Sequence, residues 1–239
     1  MKIKDWEGIA LIIGAGDIGN CFYEYLESTA PKLDVLICGR SLTTQQGIYL
    51  DLENDDSYNT FEMRISQFKK PLRLVLNTSG FLHSNLIKPE KRLSHIERSN
   101  VLKNFSVNSI APIMIAKSIE KFIRPEFPFS YASLSARVGS IGDNKLGGWY
   151  SYRASKAAQN QFLKTLSIEW RRKYPLSIVS ILHPGTCDTK LSKPYQSAVP
   201  KGKLFTPSQS CSYLINIIAD QEPSDSGKFL AWDGSIISW

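Results

Sequence analysis

The stretch Gly8-Ile-Ala-Leu-Ile-Ile13-Gly14-Ala-Gly16-Asp-Ile-Gly19 decides how this chain folds. Gly8 to Ile13 is an apolar run of strand length. Three glycines follow it at the spacing Gly-x-Gly-x-x-Gly, and Asp17 to Ser28 then carries helical spacing. A tight strand-to-helix turn needs one residue free of Cβ clashes. Close approach of an anion needs a second, and packing of the helix on the sheet a third. The helix start presents unpaired N–H groups, so this turn is a backbone cradle for the pyrophosphate of a dinucleotide.

Outward from that turn, short β-like runs alternate with helical stretches to the end of the chain. Strands are predicted at Leu33 to Cys38, Gly47 to Leu52, Leu72 to Leu76, Phe129 to Leu134, Leu176 to Leu182 and Lys228 to Ala231. Helices are predicted at Thr60 to Lys69, Asn100 to Phe122, Tyr150 to Tyr174 and Pro207 to Ala219. This alternation implies an α/β fold, a doubly wound parallel sheet with right-handed crossovers and helices on both faces. Ligands in such sheets sit at the carboxyl ends of the strands.

The chain has 239 residues, which suits one α/β domain spanning 1–239. Its four cysteines are scattered, with no zinc-type or disulfide-framework spacing, and no metal site is expected. Reduced thiols and a cytoplasmic location are expected from that usage. No apolar run is long enough to span a bilayer, so no membrane association is expected. The formal charge of +7 is spread over short clusters such as Lys88 to Arg92 and Arg171 to Lys173, interleaved with acids. We read these as a solvated surface that attracts an anionic ligand, not as a nucleic-acid footprint.

The choice of dinucleotide is argued from the end of the second strand. NAD-binding folds place an acid there for the ribose hydroxyls, whereas an arginine nearby accommodates the extra phosphate of NADP. Arg40 and Ser41 stand about twenty residues beyond the glycines, while Asp34 lies at the other end of the strand. NADP(H) is therefore expected over NAD(H). Asp51 closes the third strand and is placed to meet an adenine amino group or to cap the next segment. Asn77-Thr78-Ser79-Gly80 closes the fourth, with Asn77 tying strand ends together and Gly80 allowing close approach.

Of the ten tyrosines only Tyr152 has a lysine, Lys156, four residues on. On a helix this spacing puts both side chains on one face. A free phenol ionises near ~10, too high for efficient proton exchange at neutral pH. A neighbouring ammonium favours the phenolate. Without the glycine loop this pair would read as a surface accident.

These motifs resemble, over nearly the whole chain, those of the short-chain dehydrogenase/reductase family. They stand in that family's order: the glycine loop, Asp51, Asn77 to Gly80, Asn108 in Val-Asn-Ser-Ile-Ala-Pro, Tyr152 with Lys156, and His183-Pro184-Gly185 through Thr189. Gly139-Ser-Ile-Gly-Asp-Asn-Lys-Leu-Gly-Gly-Trp-Tyr-Ser-Tyr152 is most similar to the C-factor and sniffer-type carbonyl reductase branch. The resemblance implies a Rossmann-type fold. It also implies hydride transfer between a nicotinamide cofactor and a carbonyl or alcohol. Tyr152 would be the general acid/base, Lys156 would lower its pKa and hold the nicotinamide ribose, and Asn108 would anchor a relay water. It places the cofactor against Gly14, Gly16, Asp17, Ile18, Gly19, Arg40, Ser41, Asp51, Leu52, Asn77, Thr78, Ser79, Gly80, Tyr152, Lys156, Pro184, Gly185, Thr186 and Thr189. A homodimer or homotetramer pairing the two long helices is implied as well.

Two departures stand out. After the fifth strand the family carries Ser-Ser-x-x-Gly. Here the text is Leu134-Ser-Ala-Arg-Val-Gly139, so Ala136 occupies the usual catalytic serine position. Ser135, Ser133 and Ser140 are the substitutes at hand, and Ser135 is taken as the catalytic one. The glycine loop also follows Gly-x-Gly-x-x-Gly instead of the longer spacing usual in this group. A signalling or sensor protein that holds NADP(H) with little turnover stays open as the alternative. His183 is read as packing, Cys187 as inert, Trp149 and Tyr150 as substrate mouth or core, and Lys190 to Phe205 as a substrate flap.

Overall fold

The computed structural model describes residues 2–40, 42 and 47–239. Its main sheet has seven parallel strands in the order β3-β2-β1-β4-β5-β6-β9. These are β1 Gly8–Ile13, β2 Leu33–Gly39, β3 Ile48–Tyr49, β4 Leu72–Asn77, β5 Phe129–Leu134, β6 Ser177–His183 and β9 Phe229–Ala231. A separate pair, β7 Thr186–Cys187 with β8 Leu204–Phe205, closes the flap region. The third strand is shorter than the predicted Gly47 to Leu52, because its pairing with β2 covers only Cys38↔Ile48 and Gly39↔Tyr49.

β1 is buried along its whole length and alternates between two cores. Ile9, Leu11 and Ile13 face one core, to which α2 Asp55–Ile65, α4 Ala111–Glu120 and α5 Tyr150–Lys173 contribute Phe61, Ile119 and Trp170. Ala10 and Ile12 face the other, with Phe22 of α1 Asp17–Thr29 and Leu214 of α6 Pro207–Asp220. Apolar residues on both faces are what a parallel sheet covered by helices demands. The order of strands reverses at β1, and β1 and β4 separate the two halves. A crevice opens there at the strands' carboxyl ends.

Two helices depart from expectation. α2 begins at Asp55, ahead of the predicted Thr60, because the Asn54 side chain accepts the Asp56 N–H at 3.0 Å and caps it. The predicted Asn100 to Phe122 helix is α3 Arg98–Phe105 and α4 joined by a wider π-type turn at Ser106–Ile110. That turn carries Asn108.

Candidate active site at the strand carboxyl ends

The crevice is a cleft of about 570 Å³. At its floor the glycine loop is held by backbone contacts. Gly14 adopts φ +104° and donates its N–H to the Cys38 carbonyl at 2.7 Å. Thr78 Oγ1 donates to the carbonyls of Ile13 and Gly14 at 3.0 and 3.1 Å, so the turn after β4 clamps the loop. A Cβ on Gly19 would lie 1.8 Å from the Gly14 carbonyl oxygen, whereas one on Gly16 would meet nothing within 4 Å. Gly19 is therefore a packing glycine, and Gly16 faces open space.

Arg40 is exposed on the cleft wall at the end of β2 and has no hydrogen-bond or ion-pair partner among the described residues. Asp34, at the far end of that strand, pairs with Lys70 at 2.6 Å. Asp51 and Leu52 line the cleft. Asp51 Oδ1 accepts the Glu53 N–H at 3.1 Å. Asp17 faces it too, and its carboxylate accepts the Lys190 N–H at 3.1 Å, which ties the flap to the glycine loop. Ile18, Thr78, Ser79, Gly80, Pro184 and Thr189 complete the wall. Gly185 and Thr186 do not line it. Gly185 packs against Phe205, whose ring a Cβ would strike at 2.6 Å. Ser41 lies outside the described residues.

At the other end of the cleft stand Tyr152 and Lys156, side by side on α5, with the Lys156 Nζ 6.0 Å from the phenol ring centroid. Both are almost fully buried. Burial raises the Tyr152 phenol above its ordinary value and brings the Lys156 ammonium down to about 7. The expected lowering of the phenol by the lysine is thus outweighed in the protein alone, because desolvation disfavours both charged forms. A lysine near half-charge at neutral pH supplies only part of a charge to its neighbour.

Lys156 Nζ donates to the Leu134 carbonyl at 2.9 Å and to Gln159 Oε1 at 2.8 Å. Gln159 Nε2 donates to Ser133 Oγ at 2.9 Å, and Asn77 Nδ2 reaches the same oxygen at 3.0 Å. Asn77 Oδ1 then accepts from Ser79 Oγ at 2.6 Å. A buried polar chain therefore runs from Lys156 behind the cleft to Ser79 in its wall. Asn77 belongs to this chain and does not line the cleft. Asn108, also fully buried, bridges Phe81 and Ser155 through bonds of 2.7 to 3.0 Å. It fixes the turn after β4 to α5 from behind the cleft.

The serine chosen from the sequence, Ser135, lines the cleft, but its hydroxyl is engaged by a neighbour. Ser135 Oγ donates to Asn160 Oδ1 at 2.6 Å, one turn further along α5. Strand alternation sends it to that side. Ser133 sits in the polar chain, and Ser140 Oγ accepts the Asp143 N–H at 3.1 Å. None of the three hydroxyls bonds to Tyr152. His183 accepts a long contact from the Arg137 N–H, and burial lowers it to about 4, so it is a neutral packing residue at pH 7. Burial pushes Cys187 up to about 11, and its thiol pairs with Ser210 Oγ at 2.7 Å.

Sequence reasoning missed Glu90. Its carboxylate is buried and accepts the Ser151 N–H at 3.1 Å and the Ser151 hydroxyl. Its backbone carbonyl accepts the Trp149 N–H at 2.5 Å. Trp149, the residue before α5, supplies no side-chain cap and holds φ +52°, after two left-handed glycines. Glu90 thus caps the helix that carries Tyr152 from 61 residues away in sequence. Its only signal was an acid inside the basic run Lys88 to Arg92. Trp149 in turn meets Tyr152 at 6.1 Å and Tyr195 of the flap at 4.9 Å between ring centroids.

A nucleotide-type crevice at the switch point of a doubly wound sheet, with a phenol and an amine in its wall, defines a dinucleotide-fold oxidoreductase. No family model matches the chain. It is 25% identical over 205 residues to 1-hydroxy-2-glutathionyl-2-methyl-3-butene dehydrogenase of Rhodococcus sp. (strain AD45), covering 85% of this chain and 83% of that protein. It is 27% identical over 148 residues to C-signal of Myxococcus xanthus, covering 62% and 83%. Its fold matches carbonyl reductase Sniffer of D. melanogaster with a TM-score of 0.84 at 21% identity, covering 98% of this chain and 100% of that one. The NADPH-bound carbonyl reductase from chicken fatty liver gives 0.84 at 21%, covering 98% and 99%. These relatives and fold neighbours are oxidoreductases, and the chain is similar to the short-chain dehydrogenase/reductase kind, with C-signal and the sniffer carbonyl reductase among its matches. Among the described residues no helix is long and apolar enough to cross a membrane.

Proposed function

We propose that this protein is an NADPH-dependent reductase of a small carbonyl compound, reversible in principle. The observation that carries the reading is the shared wall: Tyr152 and Lys156 line the same cleft as the glycine loop. The cleft suits a dinucleotide on its own terms. Gly16 leaves open space beside the start of α1. Arg40 stands unpartnered among the described residues where an NADP phosphate needs a cation, and no acid closes β2. The Lys156 ammonium has three donors and two protein acceptors, so one donor is left for the cleft.

A bound nicotinamide supplies the hydride. The residues of this chain do the rest. Gly14, Gly16 and the first turn of α1 hold the pyrophosphate, and Arg40 holds the ribose phosphate. Tyr152, kept protonated by burial, donates its phenol proton to the carbonyl oxygen as negative charge develops there. Lys156 limits the cost of the resulting phenolate. The Trp149 ring, in edge contact with Tyr152 and with Tyr195 of the flap, supports the phenol from outside the cleft lining.

The test is nucleotide oxidation against a panel of carbonyl compounds, with wild type and Tyr152→Phe. Turnover that falls by about 10³-fold in the variant, with nucleotide affinity unchanged, supports the reading. Equal turnover in the two proteins would end it. The sensor alternative draws on one observation: the Ser135 hydroxyl is committed to Asn160, and Ala136 offers none. Tight nucleotide binding with no turnover on any carbonyl would favour it.

A further inference from the structure

We propose that Gln159 is a positioning residue that holds Lys156 in place and keeps it charged. The inference rests on the proposed roles of Tyr152 and Lys156 for its meaning in catalysis, though not for its test. Gln159 is fully buried on α5, three residues beyond the lysine, and its amide makes every bond it can reach. Oε1 accepts from Nζ at 2.8 Å, while Nε2 donates to Ser133 Oγ at 2.9 Å and to the Leu134 carbonyl at 3.2 Å. The two Nε2 bonds fix the amide's orientation, so its oxygen faces the lysine. A glutamine inside an α/β core is costly unless satisfied. Here its oxygen is spent on the one cation in the cleft wall that the core also buries.

The surroundings make that oxygen decisive. Tyr152 is the titratable neighbour of Lys156 on α5. From β5 the ammonium meets only the neutral Leu134 carbonyl. On the turn at Arg137–Gly139, Arg137 is directed to Asp143 at 3.1 Å and His183 is neutral. Asn108 and Ser155 are neutral, Arg153 bonds to the Gly147 and Gly148 carbonyls, and Glu90 is engaged by Ser151. No carboxylate among the described residues is in ion-pair contact with Lys156. Desolvation brings the lysine to about 7, so the balance of ammonium and amine at neutral pH turns on its hydrogen-bond acceptors. One of those acceptors is backbone and fixed. The other is a side chain that substitution can remove.

The test is a ¹³C NMR titration of lysine-labelled, nucleotide-free protein, with Lys156 assigned by its absence in Lys156→Met. In wild type the Lys156 midpoint is expected at about 7. In Gln159→Leu it moves down by about one pH unit, because a hydrogen bond that favours the charged form is gone. In Gln159→Glu, which keeps the shape and adds a negative charge, it moves up by at least as much. A wild-type midpoint in the leucine variant overturns the proposal. Should that variant fail to fold, an unmoved midpoint in the glutamate variant overturns it equally. The pH profile of carbonyl reduction gives a second readout: its alkaline limb follows the same directions, since the ammonium is the form that supports Tyr152. Unimpaired turnover by Tyr152→Phe would remove the catalytic reading and leave the titration result standing.

Discussion

The two ends of the cleft are built from different materials. The nucleotide end is made of backbone: Gly14 in a left-handed turn, Gly19 against its carbonyl, and Thr78 clamping both. The other end is made of side chains gathered from distant segments: Glu90 under the start of α5, Asn108 from the wide turn, and Gln159 and Asn77 behind the lysine. A backbone site fails by steric clash and ignores pH. A side-chain site fails by lost hydrogen bonds and responds to protons.

The largest expected effect separates the two on that ground. Lys156 is at about 7 in the folded protein and 10.5 ordinarily. Between these values the unfolded chain holds a proton that the folded one has released, so stability rises with pH. The contribution is about 1.4 kcal/mol per pH unit across that window. Denaturant titrations of wild type and Lys156→Met should diverge by that slope, and parallel curves would erase the contrast. Gly19→Ala comes next. A Cβ 1.8 Å from a backbone oxygen forces the loop apart, at about 3 kcal/mol or more, with no pH dependence. Gly16→Ala is its partner experiment. Thermal unfolding should change by no more than about 1 kcal/mol while nucleotide affinity falls at least tenfold, because only a ligand occupies that space. Arg40→Ala should cost about 2 kcal/mol in NADPH binding and leave NADH binding unchanged, measured by calorimetry. Equal losses for both dinucleotides would count against a phosphate contact. The smallest effect is Glu90→Ala, about 1 kcal/mol of stability from the lost cap, with kcat falling more than KM rises as Tyr152 loosens.

The same contrast governs what the sequence made legible. β1 begins and ends where its apolar run does, because a strand buried on both faces needs near-continuous apolar residues, and β5 keeps its predicted bounds although Ser130 and Ser133 interrupt its apolar residues. The glycine loop was readable because local conformation dictates it. Tyr152 and Lys156 were readable because helical spacing joins them. Glu90 was not, since it acts 61 residues from its partner and sits among lysines that suggest solvent. Gln159 looked like any polar residue on a long helix until the sheet brought Ser133 and Leu134 to it. Ser135 was named from a family pattern, and nothing in the sequence signalled that its hydroxyl, in the cleft lining, would be held by Asn160 from α5.

The wide turn at Ser106–Ile110 makes α3 and α4 one rod with a fault in it. Such a turn stores one residue more than a regular helix would use, so the halves on either side are out of phase by about 100°. Excising that residue would heal the rod, but only one half could then keep its docking on the sheet, and Asn108 would swing out of its place between Phe81 and Ser155. The difference between a plain scaffolding helix and one that delivers an amide into the polar interior of this protein is a single codon.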